Sequence, residues 1–334
     1  EIVTSRQWFI RTLNHRQALL ERGAQLNWHP PYMAARFVSW VEGLNSDWLI
    51  SRQRYFGVPF PVWYQVDEHG QTDPWAPIFA REEDLPVDPS AQPPLGFKES
   101  ERGQPGGFVA DPDIMDTWAT SSLTPQIAGG WEEDPDLWAR LFPMDLRPQA
   151  HEIIRTWLFS TVVRSHLEFN CLPWSDVAIS GWILDPDHKK MSKSKGNVVT
   201  PMDLLERHGS DGVRYWAASA RPGTDTAFDE AQMKVGRKLA TKILNASKFV
   251  LGLGDAPSTP PDEAVDLALL DSVHALMDEA TAAFEGYDYA RALERTEAFF
   301  WDFCDNYLEL VKARARGDLG ESRAASARAA LSEA

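Results

Sequence analysis

The run Lys189-Lys190-Met191-Ser192-Lys193-Ser194-Lys195-Gly196-Asn197 decides how the rest of the chain is read. It puts four lysines into nine residues of a chain whose formal net charge is -16. The interleaved serines and glycine let a backbone approach a ligand closely, and ammonium groups attract phosphate as point charges. Taken alone, the run has two readings: a solvated basic face, as most charge runs are, or a phosphate-binding loop. The flanks favour the second. Residues 175–184, with Val177, Ile179, Trp182, Ile183 and Leu184, predict a buried strand. Asp185-Pro186-Asp187-His188 predicts a turn. Thr200-Pro201-Met202-Asp203 predicts a helix start, with Thr200 as N-cap, Pro201 at the first helical position and Asp203 closing a capping box. A parallel strand feeding a phosphate loop is what a doubly wound α/β sheet offers at its carboxyl edge.

The composition sets outer bounds. At 334 residues the chain has room for two or three domains. Hydrophobic residues at 43% and charged residues at 25% are an ordinary globular balance. No apolar run reaches the length of a membrane span, and no secretory signal pattern opens the sequence. Cys171 and Cys304 stand alone, outside any Cys-x-x-Cys knuckle. They predict free thiols in a reducing cytoplasm, with no structural zinc. The 49 acidic against 33 basic residues argue against nucleic-acid binding over the whole surface, so any RNA contact must use local basic patches. The sequence begins Glu1-Ile2-Val3 and finishes, over Ser322 to Ala334, on a small-residue, helix-prone stretch with no folded destination, and so reads as a piece of a longer protein.

Upstream of the lysine run, Met33, Phe37, Trp40, Val41 and Leu44 recur at helical spacing. Residues 47–64 read as a strand, an exposed Ser51-Arg52-Gln53-Arg54 turn and a Pro-broken extended segment. Residues 67–110 hold seven Pro and five Gly, which rules out a long helix or central strand and predicts a surface excursion. After Ala150-His151-Glu152 a half-buried helix is predicted, with Ile153, Trp157 and Thr161 on one face and Ile154, Leu158 and Val162 beside them. Downstream, residues from Asp229 onward are helical, with Val235, Leu239 and Ile243 facing one way and Lys234, Arg237, Lys238, Lys242 and Lys248 making a basic face. Residues 251–261 form a Gly/Pro linker. Helices over 264–285 and 289–315 come next, the second with Leu293, Phe300, Phe303, Tyr307 and Leu310 as a core stripe.

Lys190-Met191-Ser192-Lys193-Ser194 resembles the second signature of the class I aminoacyl-tRNA synthetases. Trp48-Leu49-Ile50-Ser51-Arg52-Gln53-Arg54, continuing to Gly57 and Pro59, resembles the motif by which the valyl, isoleucyl and leucyl members return from an inserted editing domain. Asp116-Thr117-Trp118-Ala119-Thr120-Ser121 resembles the valyl version of a third motif, with Thr120 at the first Ser position. The resemblance implies the second half of a Rossmann-like doubly wound parallel sheet, followed by the start of an α-helical anticodon-binding bundle. The implied divisions are a re-entry segment at 1–66, the excursion at 67–110, the catalytic half at 111–228, a partial bundle at 229–315 and a tail or truncated helix at 316–334.

The same resemblance implies the chemistry. ATP, accompanied by Mg²⁺, would activate valine, and the product would pass to tRNA(Val). Lys190 and Lys193 would hold charge on the leaving phosphates, and Met191, Ser192 and Ser194 would line the nucleotide. The backbone at Ile183 and Leu184 would hold adenine, and Glu152 would accept from the ribose, although Ala150 replaces the family's usual Gly there. Trp118, Ile153 and Trp157 would enclose the amino acid; a core role for Trp118 is the other reading. Arg52 and Arg54 would touch the tRNA acceptor end or else make surface salt bridges, with Arg237 and Lys238 as further tRNA contacts. No His-x-Gly-His motif occurs in the sequence, so the chain by itself is expected not to catalyse activation. An isoleucyl member of the family, and a non-catalytic RNA-binding module, are the competing expectations.

Overall fold

The computed structural model describes residues 6–192, 194, 196–255 and 257–334. Two compact units make up the chain. One comprises Glu1–Asn27, Ala34–Arg147 and Glu152–Asp176; the other comprises Trp28–Met33, Pro148–His151 and Val177–Ala334. A three-stranded sheet runs in the order Asn27–His29, Trp174–Ser180, Met144–Ala150.

In the first unit, helices Arg16–Gln25 and Ala34–Glu42 and the helical run from 154 to 169 bury Leu19, Phe37, Val41, Leu158 and Val162 completely. The single helix expected after Glu152 is three pieces: a 3-10 turn at His151–Ile153, a π-helical turn at Ile154–Leu158 and an α-helix at Phe159–Phe169. The expected i, i+4 row of Ile154, Leu158 and Val162 is buried across the widened turn. Ile154 and Leu158 go to the core, whereas Ile153 and Trp157 stay half-buried.

Two expectations for this unit are corrected. Ser51–Arg52 is a short strand paired antiparallel with Ile114–Met115, and Ser51 is buried rather than part of an exposed turn. The Pro-rich stretch supplies strands as well as loops. Thr72–Phe79 and Phe108–Ala110 flank Val62–Val66 in an antiparallel sheet. Pro74 and Pro77 lie in its edge strand, where a missing N–H is tolerated. Trp63 in the central strand is buried, and its Nε1 donates to the Gln92 carbonyl at 2.9 Å.

In the second unit, the strand expected over 175–184 ends at Ser180 and resumes as Ile183–Leu184. Gly181 lies in the gap because a Cβ there would stand 2.1 Å from the Thr224 carbonyl oxygen. Ile183–Leu184 pairs in parallel with Thr226–Ala227, and the lysine loop and helix Pro201–Ala218 form the crossover between them. Thr200 does precede that helix, with Pro201 in its first turn, but its side chain makes no cap bond, so the expected capping box is absent.

Helix Glu230–Leu251 starts on Asp229, whose carboxylate accepts from the Ala231 and Gln232 amides. Its buried face is Met233, Gly236, Leu239 and Ala246, while Val235 and Ile243 are exposed, contrary to the periodicity. Close backbone approach decides this. A Cβ on Gly236 would meet Tyr215, and one on Gly212 would meet the Met233 carbonyl, so the neighbouring helix sits over the glycine rather than the aliphatic stripe.

The bundle contains Ala264–Glu285, Tyr289–Asp302, Glu309–Ala315 and Glu321–Glu333, with a π-helical turn at Phe303–Leu308. The extra residue in that turn rotates the helix beyond it. Val311 and Ala315 become buried and Leu310, expected in the core, is 70% exposed. Of the two expectations for 316–334, a tail or a truncated helix, the structure has a helix at Glu321–Glu333, with Ala324, Ala327, Ala330 and Leu331 buried.

Candidate active site

The lysine loop is a polar clamp built on Asp185. Strand Ile183–Leu184 delivers this residue, and its buried carboxylate gathers the loop around it. Oδ1 accepts from the amides of Asp187 at 3.0 Å and Lys189 at 2.8 Å, and Oδ2 accepts from Asn197 Nδ2 at 2.7 Å. The amide of Asp185 donates to the Lys189 carbonyl, and Leu184 bridges to Lys190. Asn197 closes the far side: its Oδ1 accepts from the Ser192 amide at 2.9 Å and its Nδ2 donates to the Lys190 carbonyl at 3.3 Å. His188 at φ 59° and Gly196 at φ 67° supply the left-handed corners. The Asn197 amide, with the Lys189 amide next, holds the Asp185 carboxyl below its ordinary range.

Lys190 is exposed, and its Nζ lies 4.2 Å from the centre of the Trp182 ring. His151 packs on the same indole at 4.7 Å, with Nδ1 3.3 Å from the Ser180 carbonyl oxygen, a donor if that nitrogen is protonated. An exposed cation–π contact of this kind is worth roughly 0.5–1 kcal/mol. Met191 and Ser192 are half-buried and Ser194 is exposed, with the two serine hydroxyls 3.3 Å apart. Lys193 lies outside the described residues. Ile183 is exposed and Leu184 half-buried. Glu152 is exposed within the 3-10 turn.

In the first unit, Asp116 caps the five-residue helix Thr117–Ser121 that carries Trp118. Its carboxylate accepts from the Trp118 amide and pairs with Arg52 at 3.0 Å. Trp157 Nε1 donates to the carbonyl of Ser121 at 3.0 Å, which ties the second indole to the helix bearing the first. Trp118 is half-buried, as are Trp157 and Ile153, so none of the three is a plain core residue. A cleft of 430 Å³ is lined by Arg52, Arg54, Phe56, Asp116, Trp118 and Thr120 among others. The salt-bridge reading thus accounts for Arg52, whereas Arg54 is exposed, with Tyr55 and Phe56 beside it fully in solvent. Arg237 and Lys238 are exposed on helix Glu230–Leu251, and Arg237 Nη1 donates to the Arg207 carbonyl.

Sequence reasoning missed the anchoring role of Asp185, the partnership of Trp182 with Lys190, and Arg147. The first had a signal, because an Asp opening an Asp-Pro-Asp turn accepts readily from amides two and four residues on. The other two depend on tertiary contact. Arg147 lies over the Trp157 ring, and burial pushes its guanidinium down to about 10.

A family model described as "tRNA synthetases class I (I, L, M and V)" matches residues 1–229, and one described as "Anticodon-binding domain of tRNA ligase" matches residues 266–334. The chain is 64% identical to the valine–tRNA ligase of Thermobifida fusca, over 99% of this chain and 38% of that protein. It is 61% identical to the valine–tRNA ligase of Salinispora tropica, over 99% of this chain and 40% of that one. It therefore spans about two fifths of the length of these relatives. Among solved structures, Mycobacterium tuberculosis methionyl-tRNA synthetase in complex with methionyl-adenylate superposes with a TM-score of 0.72 at 21% identity, covering 98% of this chain and 57% of that one. An Agrobacterium radiobacter K84 LeuRS–tRNA–LeuAMS complex gives 0.62 at 21% identity, over 86% of this chain and 39% of that one. These structures carry the fold alone: the Rossmann-like class and the helical region that comes after it.

Proposed function

Because the chain belongs to the class I tRNA synthetases of the I, L, M and V group, we propose that it is the part of a valine–tRNA ligase that handles valine and the leaving phosphates. In this reading a valine carboxylate oxygen attacks the α-phosphorus of ATP. The bond from that phosphorus to the bridging oxygen breaks, and pyrophosphate leaves with the negative charge. A hydroxyl of the terminal ribose of tRNA(Val) then attacks the acyl carbon of the adenylate and gives up its proton, and the acyl–phosphate bond breaks with AMP leaving. The site residues take the roles that the resemblance implies: Lys190 and Lys193 meet the β- and γ-phosphates, Glu152 the ribose, Ile183 and Leu184 the adenine. Trp118, Ile153 and Trp157 enclose the valine side chain. Arg54, with Arg237 and Lys238, is the tRNA-facing set, and Arg52 orders Asp116.

The observation that carries the proposal is the Asp185–Asn197 clamp. It holds the backbone of the lysine loop while Lys190 stays exposed beside the Trp182 ring. A lysine so placed meets charge that grows as pyrophosphate departs, and contacts made late raise the rate rather than the affinity. Mg²⁺ enters as the ion carried by the ATP phosphates; the described residues contain no cluster of three or more His, Cys, Asp or Glu placed for a metal. A cytoplasmic location is part of the proposal. Among the described residues, no helix is long and apolar enough to cross a membrane. The chain alone, without a His-x-Gly-His motif, is expected to show no exchange.

The test is amino-acid-dependent ATP–pyrophosphate exchange by a protein of the relatives' length that contains this chain. Exchange supported by valine is expected. Exchange supported by isoleucine in preference to valine would overturn the choice of substrate. Exchange by neither would overturn the activity.

A further inference from the structure

Arg147 is a half-buried cation packed against ring faces. It lies in strand Met144–Ala150 with its guanidinium carbon 2.9 Å from the Trp157 ring centre and 5.2 Å from that of Trp174. Its Nε and Nη2 are buried and, among the described residues, have no hydrogen-bond partner. Trp174 is itself 2% exposed, so the wall behind the guanidinium is fixed. A half-buried guanidinium with two buried nitrogens unsatisfied is a poor stabilising device, and an apolar side chain of similar volume generally packs better. What the arginine supplies is a flat plate against one face of an indole, a geometry that lysine cannot reproduce.

Trp157 is thereby fixed twice. The Ser121 carbonyl holds its Nε1 at 3.0 Å, and Arg147 covers a ring face. We propose that Arg147 is a positioning residue that sets the place of the Trp157 wall, and through it the width of the amino-acid pocket. The inference rests on the assignment of Trp157 to valine binding. A wall that yields makes the pocket wider, so it admits a side chain one methylene longer. It does nothing to threonine, which has the shape of valine.

The test uses Arg147→Met in the relatives'-length protein, labelled with 5-fluorotryptophan, with the Trp157 fluorine signal assigned by Trp157→Phe. Without any ligand, that signal is expected to shift and broaden in Arg147→Met. In exchange assays the valine-over-isoleucine ratio of kcat/KM is expected to fall about tenfold, while the valine-over-threonine ratio and the ATP KM hold. If Arg147→Met does not fold, Arg147→Lys takes its place, with the same expectations, because it lacks the plate. An unchanged Trp157 signal in a folded variant overturns the positioning role, whether or not the protein activates valine. A changed signal with an unchanged isoleucine ratio overturns the link to pocket width. Loss of valine exchange in the wild-type protein strikes instead at the functional reading, and the fluorine signal then decides the positioning role by itself.

Discussion

Asp185 and Asp266 each gather several donors, in two regions of the chain with different work to do. Asp185 holds the lysine loop through two backbone amides and one side-chain amide, with exposed lysines around it. Asp266 is wholly buried in the helical bundle. It is paired there by Arg314 through Nη1 and Nη2 and accepts from the hydroxyls of Tyr307 at 2.7 Å and Ser326 at 2.6 Å. Those three partners come from three different helical segments, so Asp266 ties the bundle together. Ser326 also accepts from the Asp262 and Glu263 amides, which fixes the entry to Ala264–Glu285. Neutral donors around a carboxylate make a clamp that can be reorganised. A desolvated ion pair makes one that cannot be opened without leaving a buried charge.

The largest effect expected from this contrast is at Asp266. Asp266→Ala strands Arg314 as a buried cation, and urea unfolding of the bundle is expected to show a loss of about 3–5 kcal/mol. The paired change Asp266→Leu with Arg314→Met should recover most of that loss. A single variant as stable as the wild type would remove Asp266 from its tying role. Acid should act on the same residue. Burial raises its carboxyl, but Arg314, Ser326 and Tyr307 outweigh this and leave it below the ordinary carboxylate value. A depressed folded value contributes stability above the unfolded value and loses it as pH falls through the folded one. Stability is therefore expected to fall on acidification below the usual carboxylate range, with a shallower slope in Asp266→Asn. An equal slope would contradict the sign.

A smaller and more local effect is expected at Asp185. Asp185→Ala should lower the exchange rate about tenfold, in line with lost positioning, and leave the global unfolding midpoint unchanged. A drop in global stability matching that of Asp266→Ala would erase the distinction between the two regions. The smallest effects belong to helix starts. Asp229→Ala should cost about 1 kcal/mol, because its carboxylate caps two amides. Thr200→Ala should be nearly neutral, because no cap bond is there to lose. Equal losses at both positions would show that Thr200 caps its helix in solution.

The contrast also separates what the residues announce from what packing adds. The lysine loop was legible because its chemistry is local: a strand, an Asp-Pro turn and lysines, although the hold of Asp185 on Asn197 was not read. The two tryptophans of the candidate pocket stood in readable motifs. The π-turns at 154–158 and 303–308 were not legible, because one inserted residue shifts every later side chain without altering composition. Leu310 and Val311 exchange places for that reason. The packing of helix Glu321–Glu333 hid, although its helix-prone composition did not, because it packs through alanines, which bury too little area to draw an apolar stripe. The glycine contact at Gly236 hid the buried face of its helix in the same way, since the signal there is a missing side chain.

Lys190→Ala, measured by valine-dependent ATP–pyrophosphate exchange in the relatives'-length protein, bears most directly on the claim that this loop serves the leaving phosphates. The account predicts a fall in kcat of about 10²- to 10³-fold, with the valine KM within about twofold of wild type, because the charge Lys190 meets develops late. An unchanged kcat, or a loss confined to the valine KM, would contradict it.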